Sequence, residues 1–146
     1  MPSRLRLFVI SWSEVDREIT LDLSKAYPGI KKFTRKLKLD GSTLTVSDIV
    51  ESDDEVDILY PLHALSEPIA DGNTVKIERG DAKLSIAPIS NDLILDSISD
   101  KFDVDLNEGI DDKFKVEMPE QFHIYYKSSP KRHHEITVEF RISFID

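Results

Sequence analysis

Apolar and polar residues alternate along most of this chain, and the alternation predicts strands joined by tight turns. Leu37-Lys38-Leu39 and Leu44-Thr45-Val46 lie either side of Asp40-Gly41, a pair suited to a type I′ hairpin turn. With Asp40-Gly41 as the turn, Leu39 faces Ser42 and Leu37 faces Leu44. Leu37, Leu39, Leu44 and Val46 then share one face. A second hairpin is predicted from Val75 to Ile86 around Gly80-Asp81, where a leading glycine suits type II′. Here Ile77 opposes Leu84, Val75 opposes Ile86, and Glu78 opposes Lys83 as a favourable cross-strand charge pair.

At the C-terminal end Ile136, Val138, Phe140, Ile142 and Phe144 alternate with polar residues, predicting a long strand with one core face. Phe122, Ile124 and Tyr126 predict another strand upstream, with residues 128–134 as the connecting loop. Leu5, Leu7 and Val9 alternate with Arg6, Phe8 and Ile10. Both faces of that first strand are partly apolar, which predicts a central position. Ile19, Leu21 and Leu23 follow a polar turn. Val56 to Tyr60 and Phe114 to Met118 are weaker strand signals. Ser47 to Ser52 reads as one short helical turn, Ala26 onward as a helical start interrupted by Pro28-Gly29, and Asp92 to Phe102 as helix or strand. The expected architecture is mainly β: an antiparallel β-sandwich or barrel-like fold with at most one or two short helices.

Composition narrows the class. At 146 residues the chain matches the usual size of one domain, so residues 1–146 are read as a single strand-rich unit. It contains no Cys, which removes disulfides, thiolate metal sites and cysteine nucleophiles. No apolar run approaches membrane-spanning length, and the N-terminus lacks signal-peptide features. The expectation is a soluble protein, cytoplasmic or virion-associated.

The net charge of −9 is unevenly spread. Residues 1–39 carry nine Lys/Arg against four Asp/Glu, and residues 40–130 carry seven against twenty-one. Phosphate affinity comes largely from Lys/Arg, so this balance speaks against nucleic acid and for a protein partner.

Four groups of residues could carry chemistry. Asp103, Asp105, Asn107 and Asp111 have the spacing of a noncanonical calcium loop, because calcium takes several closely spaced hard oxygens. Gly109 and Phe114 depart from the EF-hand pattern, and a solvated polar loop fits the same residues. The acidic run Glu51 to Asp57 is expected in a solvated loop. Lys31, Lys32, Arg35, Lys36 and Lys38, interleaved with Ile30, Phe33 and Leu37, form either an amphipathic segment or a site for an acidic partner. Trp12 and Tyr125 are amphipathic aromatics that suit a ligand or interface, or the rim of the core. His133 and His134 point to opposite sides of an extended chain, which argues against a shared metal. A basic surface loop is expected there.

No nucleotide-binding, hydrolase or zinc-protease motif occurs, and no catalytic residue is assigned. No cofactor is expected, with calcium the one candidate. Three functions follow as expectations. The first is a non-enzymatic interaction or assembly module, of a viral or phage kind, self-associating through its basic N-terminal and acidic central surfaces. The second is a ligand-binding sandwich, calcium-dependent or carbohydrate-binding. The third is an acidic nucleic-acid mimic directed at a DNA-binding protein.

Overall fold

The computed structural model describes residues 8–90, 92–99, 109, 111–114 and 121–144. They form eleven strands and one short 3-10 turn, at Asp112–Phe114. The strands are β1 (Phe8–Ser13), β2 (Glu18–Asp22), β3 (Ile30–Asp40), β4 (Thr43–Val56), β5 (Leu59–Ala64), β6 (Ile69–Asp71), β7 (Thr74–Arg79), β8 (Ala82–Pro88), β9 (Ile94–Ser99), β10 (Phe122–Lys127) and β11 (Lys131–Phe144). Two antiparallel sheets result, an eight-stranded one in the order β1-β2-β3-β4-β11-β8-β7-β6 and a three-stranded one in the order β5-β10-β9. This is the mainly β, sandwich-like architecture that the alternation predicts.

The core lies where the small sheet covers the large one. Ile124 and Tyr126 of β10 and Tyr60 of β5 pack with Val75, Ile86, Ile136 and Val138 of the large sheet. Leu93, just before β9, closes the cluster. Strand alternation puts these residues inward and their charged neighbours outward.

The second predicted hairpin forms in the expected register, with Val75↔Ile86, Ile77↔Leu84 and Glu78↔Lys83. Gly80 has φ +59, the positive value a leading glycine supplies. The first hairpin forms one step further along. Leu39 pairs with Leu44 and Leu37 with Val46, so Gly41-Ser42 is the turn. Gly41 has φ +58 and Ser42 is not in the left-handed region, so glycine leads this turn too. Both registers put the four apolar residues on one face, so burial alone could not distinguish them.

Other expectations are corrected. Ser47 to Ser52 is no helical turn but the middle of β4, with Asp48, Val50 and Ser52 buried in alternation. The basic segment from Ile30 is strand β3, not a helix. The acidic run lies partly on the end of β4 rather than wholly in a loop. Residues 131–134, expected in a loop, open β11, and His134 is only 1% exposed. Its Nε2 donates to the Val56 carbonyl at 2.6 Å, whereas His133 points outward beside Glu51 and Glu135. Asp92 to Phe102 resolves as strand over Ile94–Ser99. β1 stands at a sheet edge, not in the centre. Its two apolar faces are unburied, with Val9, Ile10 and Trp12 all more than half exposed. Leu5 and Leu7 lie outside the described residues.

Burial pushes the Tyr60 and Tyr126 hydroxyls up to about 12. Folding therefore favours the neutral phenol relative to an unfolded chain that ionises near 10. The resulting stabilisation is whole below pH ~10 and is lost as pH rises through about 12. Each tyrosine contributes about 3 kcal/mol. Urea midpoints should hold steady to pH ~10 and fall steeply beyond it, with a shallower fall in Tyr126→Phe. An unchanged slope in that variant would show that Tyr126 does not drive the alkaline loss.

Candidate functional site

Two features of the inward face of the large sheet stand out. The first is a cleft at the seam between the sheets, of about 510 Å³. Phe33, Arg35, Asp48 and Val50 from β3 and β4 form one wall, and Ile58 to Leu62 form the other. Strand alternation turns Arg35 inward, where its Nε and one terminal nitrogen donate to the two Asp48 carboxylate oxygens at 2.7 and 2.8 Å. Asp48 is 5% exposed, so this pair is largely desolvated. The guanidinium lies 5.7 Å from the Phe33 ring and 5.9 Å from the Tyr60 ring, within cation–π range. Tyr27 stacks on Phe33 at 6.1 Å and is itself 56% exposed. The Asp48 carboxylate holds the Arg35 guanidinium charged even more firmly than usual. The cleft thus offers aromatic faces and a locally neutral polar pair.

The second feature is the end of the large sheet that the small sheet does not reach. Trp12, Ile19, Leu37, Leu39 and Leu44 line a shallow hollow of about 350 Å³ there. Further along the same inward face, Ile142 and Phe144 continue the β11 stripe. Trp12 is 66% exposed and Phe144 74%. Residues patterned for a core are here on the surface.

The sequence candidates distribute unevenly over these features. Trp12 belongs to the uncovered end. Tyr125 lies on the outer face of the small sheet, stacked on His123, which pairs across strands with His63. The two aromatics therefore do not form one site. The basic cluster is split as well. Arg35 faces the cleft, Lys31 pairs with Asp53 at 3.1 Å, and Lys36 pairs with Glu18 at 3.3 Å. Lys32 and Lys38 alternate with Phe33 and Leu37 and are exposed. Asp103, Asp105 and Asn107 lie outside the described residues. Asp111 is exposed, and its carboxylate accepts from the Lys113 backbone N–H at 3.4 Å. Among the described residues, no three His, Asp or Glu side chains converge on a metal position.

The cleft was not visible in the sequence. Asp48 sits in a run otherwise read as a helical turn, and Arg35 reads as one more surface cation. The signal depends on the hairpin register that forms, in which Arg35 falls opposite Asp48 on the apolar face.

No protein-family model matches the chain, and no curated protein matches it. Solved structures do resemble it. The heparan sulfate lyase HepC from Pedobacter heparinus matches with a TM-score of 0.68 at 14% identity, over 95% of this chain and 22% of the lyase. A HepC mutant gives 0.66 at 15% identity over the same shares. The Slr1438 protein from Synechocystis sp. PCC 6803 matches with 0.54 at 10% identity, over 94% of this chain and 66% of its own. At such identities the likeness shows the fold alone. The chain spans about a fifth of the length of the lyases.

Proposed function

We propose that this chain is a non-catalytic interaction module that docks a protein partner on the uncovered end of its large sheet. One observation carries the reading: Trp12, Leu39, Ile142 and Phe144, all on the core-patterned face, are exposed. Contiguous exposed apolar surface is costly in water and marks an interaction site. Trp12 is the natural anchor, since tryptophan dominates interface energetics. The neighbours lend support, because in the lyases the same fold occupies 22% of a longer chain. The reading shifts the contact away from the basic and acidic surfaces, where Lys31, Arg35 and Lys36 already have partners within the chain.

Native mass measurement in host-cell extract, at low and high salt, tests this. An apolar contact persists in high salt, whereas a contact between surface charges is screened. Trp12→Ser is expected to weaken the complex about thirtyfold or more, the effect of losing a ~2 kcal/mol anchor. A complex that dissolves in salt, or that ignores Trp12→Ser, places the contact elsewhere.

A second reading is favoured by the cleft. Tyr27, Phe33 and Tyr60 beside Arg35–Asp48 suit a sugar ring, with aromatic faces for stacking and a polar pair for hydroxyls. The similar lyases are named for heparan sulfate, a polysaccharide. Titration with neutral and sulfated oligosaccharides, against Tyr27→Ala, separates this reading from the first. The nucleic-acid mimic gains no support, because Asp48, Asp53, Asp57, Asp71 and Glu78 each face a Lys or Arg.

A further inference from the structure

We infer that β1 is an open pairing edge and that its partner is β1 of a second copy, joined antiparallel about a two-fold axis. The inference goes beyond the docking reading: the contact runs along the sheet edge and leaves Leu39, Ile142 and Phe144 of the uncovered face open. Among the described residues each sheet has two edge strands, and three of the four carry features that discourage pairing. β6 is three residues long and preceded by Pro68. β5 carries Pro61 in its middle. The start of β9 has its Leu93 carbonyl and Leu95 N–H occupied by the Asn73 side chain. Natural edge strands are protected by such means: shortness, proline, charge or cover.

β1 has little of this. Its six residues, Phe8 to Ser13, include no charge and no proline. A bulge between Val9 and Ser11 is its one irregularity. Val9, Ile10 and Trp12 are more than half exposed. Such a strand offers backbone donors and acceptors to an added strand, and apolar side chains on either side of it.

Charge selects a second copy. Beyond residue 40 the described residues carry sixteen Asp/Glu against eight Lys/Arg, so copies repel one another over that part of their surface. The β1–β3 end is close to neutral, with seven Lys/Arg against five Asp/Glu over residues 8–40. Pairing at β1 brings the two copies together at this end and keeps the acidic portions apart. An antiparallel two-fold contact is self-complementary, and it closes at a dimer.

Sedimentation of the pure chain over a concentration series tests the inference, with charge exchange at Ser11. Ser11 is exposed and lies one residue from Trp12, on the opposite face of the strand, so its replacement leaves the apolar face intact. The wild type is expected to dimerise in the micromolar range, as small interfaces do. Ser11→Lys and Ser11→Glu each place like charges across the axis and should weaken the dimer at least ~tenfold. An equimolar mixture of the two should regain it, which misfolded variants could not do. A pure chain that stays monomeric at all concentrations overturns self-pairing; if the extract complex is still lost in Trp12→Ser, the docking reading stands. A dimer indifferent to both Ser11 variants also overturns the β1 contact. Absence of any Trp12-dependent complex, pure or in extract, removes the docking reading as well.

Discussion

Replacing Arg35 with Met is expected to lower stability by about 3 kcal/mol, or roughly 10 °C in Tm, because it strands a buried carboxylate. Asp48 is 5% exposed, and Arg35 donates to both of its carboxylate oxygens. The opposite change should cost less. In Asp48→Leu the guanidinium, whose side chain keeps 32% of its exposure, can turn toward the cleft mouth and recover water. Arg35→Met/Asp48→Leu should return to within about 1 kcal/mol of the wild type, since well-packed apolar replacements of a buried pair are often neutral. Thermal denaturation of the four proteins gives the cycle directly. Additive losses would show that the two side chains are not coupled. The stable double variant has a second use. If the cleft takes a ligand through this polar pair, that protein folds normally and fails to bind, so the cost to function is separated from the cost to stability.

The fold was legible wherever alternation and turn chemistry pointed the same way. Val75 to Ile86 is the clear case: three cross-strand pairings agree on one register, and Gly80 leads the turn. At Leu37 to Val46 the burial pattern survives a register shift of one residue per strand, so the apolar residues could not select between two turns. Local signals failed where tertiary context decides. Ser47 to Ser52 combines a helix-capping serine with acids, yet it lies in the middle of a fourteen-residue strand between β3 and β11, whose ladders fix its backbone. β1 misled for a different reason. Two apolar faces signal burial on both sides in a complete globule, and the same signal arises when an edge awaits a partner.

The sites were less legible than the fold, because both depend on which sheet covers which. Trp12 was picked out for its chemistry, and it is 66% exposed. Phe144 and Ile142 were read as core because they continue the stripe of Ile136 and Val138. Nothing in the stripe marks where the small sheet stops covering it. The Arg35–Asp48 pair needed the true register and the inward direction of both residues at once. Charge counting placed Arg35 among four lysines, although only Arg35 of the five offers the planar fork that matches a carboxylate in two bonds.

Asn73→Ala is expected to cost about 2–3 kcal/mol although it removes no apolar group, because this side chain acts as a length of backbone. Asn73 lies in the turn between β6 and β7, immediately after Gly72 at φ +61. Its Nδ2 donates to the Leu93 carbonyl at 2.7 Å, and its Oδ1 accepts from the Leu95 N–H at 2.6 Å. This is the donor-and-acceptor pattern of a neighbouring strand, supplied by one amide. The Asn73 carbonyl also accepts from the Tyr126 hydroxyl at 3.0 Å. One turn of the large sheet thereby holds both the edge and the centre of the small sheet. The alanine variant leaves the Leu93 carbonyl and Leu95 N–H without these partners, beside a Leu93 that is fully buried. Aspartate should be worse than alanine, despite its near-identical shape, since it sets a second oxygen against the Leu93 carbonyl in place of a donor. Urea denaturation gives the global cost, and hydrogen exchange at Leu95 N–H reports the local one. A loss below about 0.5 kcal/mol in Asn73→Ala would mean that apolar contact alone keeps the sheets together. Faster exchange confined to β9 would instead show that the clip secures only that edge.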